Sequence, residues 1–498
     1  MSIKSLYING EWLASADGGT REIRSPHDNS LVTTVSEGTT DDAISAIAAA
    51  RAAFDSGIFS SKSISERSSL VSRIADLLER DSEILAKLES GDTAKRLIEA
   101  RYDMADVVST FRHFAKIGLQ VRDRSVEVGI DNISSKITHE PVGVCSLIGP
   151  WNYPLLQISW KVAPALVAGC TFIVKPSELT PSTAIHLMKI LAEAGVPKGV
   201  ANLILGAGAT VGATLTTDTR VDLVSFTGGL VTGRQIMAAA AQSVKKVALE
   251  LGGKNPNIIF ADSNLAAAID NAVTAAFLHS GQVCSAGTRL LVERPVHDEV
   301  IARIITRAKD IYLGGPDDVA AETGPLISAA HLAKIESYTA RAIAEGAKLV
   351  AGGGRPDRAD LAKGWYFQPT VLDGCNTKMN CVQEESFGPV MTVEVFDTVE
   401  EAITLGNDTI YGLSGAVWCS DPIIASRVAK SLRHGTIWIN DYGPYRPEAE
   451  WGGFKASGVG RELGASGLAE YLEIKHIWLN NEPSNSGWFA DRSNSPAM

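Results

Sequence analysis

The sequence predicts an α/β protein made of two doubly wound lobes and a small β arm, and three observations predict it. From Pro141 onward, short apolar runs alternate with amphipathic stretches. That texture restarts after about residue 255, as a second lobe would require. Residues 120–140 instead alternate in polarity without a helical period. Strands alternating with helices imply parallel βαβ units, whose ligands sit beyond the carboxyl ends of the strands.

Taken in order, LYINGEWL alternates around Asn9-Gly10, a hairpin signal. Thr40 to Phe54 reads as a helix with Asp41 and Asp42 favouring its first turn, and Ser65 to Leu88 and Thr93 to Gly118 as two more. In the first lobe VGVCSLIG, CTFIVKP, ANLILGAG, DLVSFTG and NPNIIF read as strands, with Ser182 to Ala194 as a helix between them. Val142 to Val174 carries one charge, Lys161, but Pro150, Pro154, Pro164 and several polar residues interrupt it. It therefore reads as buried strand, loop, helix and strand, not as a membrane span. In the second lobe TRLLVER, TVEVF, GAVWCS and GTIWIN read as strands, Val296 to Tyr312 and Ile327 to Ala344 as helices. The tail after His476 reads as another peripheral strand, and such outlying elements suit subunit contacts.

Composition bounds the function. The chain has 498 residues, 46 Lys plus Arg against 57 Asp plus Glu, and a net charge of −11. That length suggests about three structural units, and an acidic surface disfavours nucleic acid as a partner. The six cysteines form no CxxC pair, so no zinc or other metal site is expected, and they read as reduced thiols in a cytoplasmic protein. The N-terminal stretch lacks the apolar core of a secretory leader. Glycine, 45 residues, is modestly enriched, as close backbone approaches to a ligand require.

Several segments can carry chemistry. Cys284 lies in GQVCSAGTR, a loop of small residues that suits an exposed thiol of depressed pKa as readily as a buried structural one. His279 is near, but five residues apart on a helix the two would face different ways. Glu250, in VALELGGKNP, is either a strand-end surface acid or an acid in an apolar cleft, where burial would raise its pKa into the range of a general base. Asn152, in GPWNYP, is an oxyanion donor or a helix cap ahead of Pro154. Tyr153 and Trp160 share a helix face, as core packing or as a cation cage. KPSELTP holds a strand-end lysine and acid that suit a nucleotide ribose or a solvated loop, and SFTGGLVTG opens a helix whose N-terminus could meet a phosphate.

The ordered set GPWNYP, KPSE, SFTG, ELGGKNP, GQVCSAG, EESFGPV and EWGGFKASGVGRELG spans the chain and resembles the NAD(P)-dependent aldehyde dehydrogenase superfamily. The resemblance implies Cys284 as nucleophile, Glu250 as general base, and Asn152 with the Cys284 amide as oxyanion site. It implies Lys161 and Glu473 as a proton-conducting pair. For the cofactor, NAD, it implies Ile148, Gly149, Pro150 and Trp151 after one strand, and Lys175, Pro176, Ser177 and Glu178 after the next, with Lys175 and Glu178 on the adenosine ribose. Further along it implies Gly208 and Gly212, then Phe226, Thr227, Gly228, Gly229 and Thr232, then Leu251 and Gly252, and lastly Glu385 and Phe387 at the nicotinamide ribose and ring. Gly229 departs from the serine that many members carry.

The motifs are most similar to the betaine-aldehyde and aminoaldehyde group. Tyr153, Trp160 and Trp451 match its aromatic cage, and Asp103 and Asp106 its paired acids, whereas Leu278 replaces a further tryptophan of plant members. The resemblance implies residues 1–120 and 142–252 as an NAD-binding domain, 253–467 as a catalytic domain, and 121–141 with 468–498 as an oligomerisation arm of a homodimer or homotetramer. The expected activity is oxidation of a small-molecule aldehyde, betaine aldehyde or a similar cation. Neutral aldehydes, and a non-redox cysteine esterase or acyltransferase, are the alternatives.

Overall fold

The computed structural model describes residues 3–486, 488 and 489; residues 487 and 490–498 of the expected arm lie outside the described residues. Its first sheet has eight strands, ordered Gly458–Val459, Lys246–Glu250, Leu223–Thr227, Val144–Ile148, Thr171–Lys175, Ala201–Leu203, Leu6–Ile8 and Glu11–Leu13. The five from Lys246–Glu250 to Ala201–Leu203 are parallel. Chain order starts at Val144–Ile148, runs outward one way and returns to continue on its other side at Leu223–Thr227. The switch point between those two strands opens the crevice where ligands bind in such sheets.

The three central strands are buried at every residue, consistent with their unbroken apolar runs. The connecting helix Pro154–Ala168 is buried along its whole length, Lys161 included, and Pro154 starts it at a position where no amide hydrogen is needed. Gly458–Val459, expected within the second lobe, instead pairs antiparallel with Lys246–Glu250 and closes the first sheet's edge.

The second sheet is ordered Lys348–Ala351, Thr370–Asp373, Val390–Phe396, Arg289–Glu293, Pro256–Ile259, Ser414–Trp418 and Thr436–Ile439, parallel except for its first pair. A third sheet joins Arg124–Ser125, Ile133–Pro141 and Leu472–Asn480, bringing the polar hairpin and the tail together. Among the described residues no helix is long and apolar enough to cross a membrane.

Two helix expectations shift. Ser65 to Leu88 is two helices, Ile64–Arg80 and Ser82–Thr93, because Asp81 leaves the helical conformation and its carboxylate takes Arg80 and His186. The next helix begins at Leu97, not Thr93, because Ala94 turns left-handed and ends the preceding one.

Within the second lobe Arg289 is fully buried and pairs with the buried Glu394, Nε to Oε2 at 2.5 Å, across neighbouring strands. Removing one partner of such a pair leaves an uncompensated charge in the core. Arg289→Met should destabilise the protein by about 3–5 kcal/mol, read as a lower urea midpoint, and Arg289→Met with Glu394→Leu should recover much of the loss.

Candidate active site

Cys284 reaches its place by a break in helical geometry. The helix Leu265–Phe277 is followed by His279, Ser280 and Gly281, all with positive φ. At Gly281 a Cβ would lie 2.3 Å from the Gly388 carbonyl oxygen, so only glycine lets the turn pass. The Asn255 amide donates to the carbonyls of Cys284 and Ala286, and the Tyr442 hydroxyl to that of Ser285, which pins the loop with Cys284 half-buried. His279 and Cys284 are therefore not on one helix. His279 is buried against Tyr153, ring centroids 5.5 Å apart, and burial holds its imidazole well below the usual range. No hydrogen bond links it to Cys284, so the pair is not assembled as a nucleophile and base.

Glu250 ends its strand 4% exposed, and neither carboxylate oxygen has a hydrogen-bond partner. It is thus the cleft acid rather than a surface acid. Burial pushes its carboxyl well above the usual range, and the Glu462 carboxyl pushes the same way. The thiol of Cys284 is pushed up to about 12, by burial first and then by Glu250 and Glu385. Of the two readings of this loop, the depressed pKa is not met: burial, with the two carboxyls behind it, outweighs the loop amides, so the resting group is a thiol.

Asn152 is 4% exposed and donates to the Gln282 carbonyl at 2.8 Å, in the cavity wall that also holds Cys284 and Glu250. The helix cap is Tyr153, so Asn152 does not cap it. Gly252 explains the Gly-Gly pair after Glu250: a Cβ there would lie 2.1 Å from a Glu385 oxygen. Glu385 also accepts from the Gly253 amide at 3.0 Å, and burial raises its carboxyl to about 7.

This cavity continues into a groove of about 840 Å3 along the carboxyl ends of the first sheet. The groove is walled by Ile148, Gly149, Pro150 and Trp151, then by Lys175, Ser177 and Glu178, with Gly208 and Gly212 opposite. Phe226, Thr227, Gly228, Gly229 and Thr232 complete it. Lys175 donates to the Pro176 carbonyl and stands 3.6 Å from Glu178. Leu251, Gly252, Glu385 and Phe387 lie in the cavity beside Cys284. Phe387 adopts a left-handed φ of 58°, and its carbonyl is hydrogen-bonded by His331 at 2.7 Å. Trp151 packs edge-on against both rings. His331 escaped the sequence reading because its segment carries no motif.

Those residues fit a dinucleotide. Gly229, in the groove wall, caps the helix Leu230–Ala241, so a helix N-terminus lies at the groove, and a Cβ on Gly229 would meet nothing within 4 Å. The glycine there is thus not forced by sterics, and the amide is kept.

A second chamber, about 230 Å3, reaches Cys284 from the other side. Tyr153, Trp160, Trp451, Asp103 and Asp106 all line it, so the sequence nominees do converge. Tyr442 and Tyr445, which the sequence reading missed, complete the wall. Tyr445 packs on Trp160 and Trp451 at 5.4 and 6.2 Å and donates to Asp106 at 2.7 Å. The aromatic-rich run DYGPYRPEAEW was the available signal. Leu278 stands at the rim, 39% exposed.

One expected pair is wrong. Glu473 is exposed on the strand Leu472–Asn480, opposite Glu140, because that strand lies on the small outlying sheet with all of its residues from 473 to 480 exposed. Lys161, fully buried, bonds instead to Glu462 at 2.6 Å, and Glu462 also accepts from Ser225. The acid in GRELG thus supplies the buried carboxylate that offsets this lysine's charge.

The aldehyde dehydrogenase family profile matches residues 12–477. The betaine aldehyde dehydrogenase of Bacillus subtilis (strain 168) is 54% identical over 486 residues, covering 98% of this chain and 99% of that protein. Aminoaldehyde dehydrogenase 2, peroxisomal, of Pisum sativum is 40% identical, covering 98% and 97%. The crystal structure of betaine aldehyde dehydrogenase from Staphylococcus aureus in complex with NAD+ superposes with a TM-score of 0.97 at 51% identity, covering 98% of this chain and 97% of that one. The geometry and these likenesses agree, and the chain belongs to the aldehyde dehydrogenase family.

Proposed function

We propose that the protein oxidises an aldehyde to its carboxylic acid with NAD, through a thioester on Cys284, and that its substrate is betaine aldehyde or a similar cation. One observation carries this reading: Cys284 is shared by two cavities, one running into the dinucleotide groove and one walled by aromatic rings and Asp106. Lys175 and Glu178 would hold the adenosine ribose, the helix start at Gly229 the pyrophosphate, and Glu385 with Phe387 the nicotinamide half. The Glu178 carboxylate disfavours a 2′-phosphate, so NAD is preferred to NADP. NAD supplies the hydride acceptor.

The residues of the chain do the rest. Cys284 gives its proton to water in the site and attacks the aldehyde carbon, and the resulting oxyanion is met by the Asn152 amide and the Cys284 backbone N–H; loss of hydride from this adduct to the bound acceptor would leave the thioester. Glu250, with both oxygens free of protein partners, takes a proton from the water that then cleaves the thioester. The aromatic faces of Trp160, Trp451 and Tyr445 attract a quaternary ammonium, and Asp106 adds a charge at the same wall. Residues 1–120 with 142–252 form the NAD-binding domain in this reading, 253–467 the catalytic domain, and 121–141 with 468–498 the arm. The arm strand exposes Ile474, Ile477 and Trp478, which supports a homodimer or homotetramer joined there; a cytoplasmic location is the reading of the chain's reduced cysteines.

Cys284→Ala should abolish NADH formation. Glu250→Gln should leave an initial NADH burst and slow the steady state by about 100-fold, as loss of a general base does; a burst-free Glu250→Gln enzyme contradicts the assignment. Glu462→Gln should lower the steady-state rate, whereas Glu473→Gln should leave kcat within about 2-fold, since exposed surface substitutions are near neutral. The substrate class is tested by kcat/KM for betaine aldehyde against its carbon isostere, in which a tert-butyl group replaces trimethylammonium. The cationic aldehyde should win by about 10-fold or more; preference for the neutral one assigns the chamber to neutral aldehydes.

A further inference from the structure

Behind the Tyr153 wall lies a group of charges that the mechanism does not use. Lys95 sits between the helices Ser82–Thr93 and Leu97–Gly118, with its side chain fully buried. Its ammonium stands 4.2 Å from the centroid of the Tyr153 ring. It bonds Asp103 Oδ2 at 2.6 Å and lies 3.6 Å from Glu89 Oε1. Glu89 is 0% exposed; its Oε2 accepts from the Leu155 amide at the start of the helix Pro154–Ala168, and its Oε1 has no hydrogen-bond partner. One cation thus faces two carboxyls in a water-excluded site that touches the substrate chamber through Tyr153 and Asp103.

We propose that the buried Glu89–Lys95–Asp103 cluster is a proton-sensitive specificity element of the aldehyde chamber. With one proton shared between its carboxyls the cluster is neutral. With that proton lost it carries one net negative charge directly behind Tyr153, and a cationic aldehyde is held more tightly. The proposal rests on the reading of the chamber as a cation site.

The charge count and the surroundings support it. Burial raises Glu89 to about 7 and Asp103 to about 6, with Lys95 opposing both shifts, so the shared proton leaves near neutral pH. Glu99 and Asp106 lie on the helix of Asp103, and Asp92 on that of Glu89. Asp103 also feels Glu99 and Asp106, and Glu89 feels Asp92; all three favour uptake of the proton. From the remaining sides, burial keeps His279 neutral, and the phenols of Tyr153 and Tyr445 are pushed well above their usual range. Asp106, whose carboxyl burial also raises, is the other group able to change the chamber's charge.

The test is the ratio of kcat/KM for betaine aldehyde to that for its tert-butyl isostere, followed from about pH 5.5 to about pH 8.5. Both aldehydes need the same Cys284 and Glu250 protonation states, so those titrations cancel in the ratio. The wild-type ratio should rise about 5-fold with pH, as a unit charge one ring away would produce at a partly screened site. Glu89→Gln leaves Lys95 balanced by Asp103 alone, so its ratio should stay flat at the low-pH value while turnover of the neutral aldehyde persists. Asp103→Asn leaves Lys95 balanced by Glu89 and should flatten the ratio as well, which keeps the test open if the first variant folds poorly. A wild-type ratio independent of pH overturns the cluster's role, and so does a rise that survives in a folded Glu89→Gln enzyme, which would transfer the effect to Asp106. The level of the ratio reports separately on the cation reading: a ratio below one at every pH rejects that reading, whatever the slope.

Discussion

Glu250 is buried at a strand end with neither oxygen hydrogen-bonded, a cost of several kcal/mol if it is charged, and the rest of the site is arranged around that constraint. Burial holds the acid protonated at rest, and burial is also the main cause that keeps Cys284 a thiol. Both groups are thus neutral at rest. Gly252 and Gly452 keep space beside these groups, since a Cβ at either would press on Glu385 or on Glu250 itself. The glycine enrichment is located where backbone has to pass a carboxylate or a thiol loop.

Three buried cations are each met by buried carboxyls. Lys161 meets Glu462, Arg289 meets Glu394, and Lys95 meets Asp103 and Glu89. The first two are balanced pairs that brace a lobe. The third has an excess carboxyl, and it lies against the wall of the substrate chamber. Two carboxyls crowded around one buried cation favour a shared proton, which a one-to-one pair does not require. That excess carboxyl sets the triad apart as a group able to alter what binds nearby.

Much of the site was legible because each element carries its own local signal. Cys284 stood out through a loop of small residues, Glu250 through an acid before two glycines, and the dinucleotide groove through strand ends followed by glycine. Glu473 was misplaced because two acids, Glu462 and Glu473, lie within reach of the motif, and only burial distinguishes them. Tyr442 and Tyr445 were missed because nothing local says that the segment before Trp451 folds across the mouth of the chamber. The single long helix expected over Ser65 to Leu88 failed because periodicity does not register Asp81, whose carboxylate is claimed by His186 from a distant helix.

The sequence by itself determined the doubly wound lobes, through alternating runs of strand and helix period, and singled out Cys284, Glu250 and Asn152 as candidates, through motifs whose order along the chain resembles one family. Tertiary structure decided the protonation of those groups and the partner of every buried charge. The physical reason is that pKa and pairing depend on desolvation and on charges a few ångströms away, and those neighbours come from segments hundreds of residues apart: Lys161 and Glu462 are separated by 301 positions and Tyr445 and Asp106 by 339.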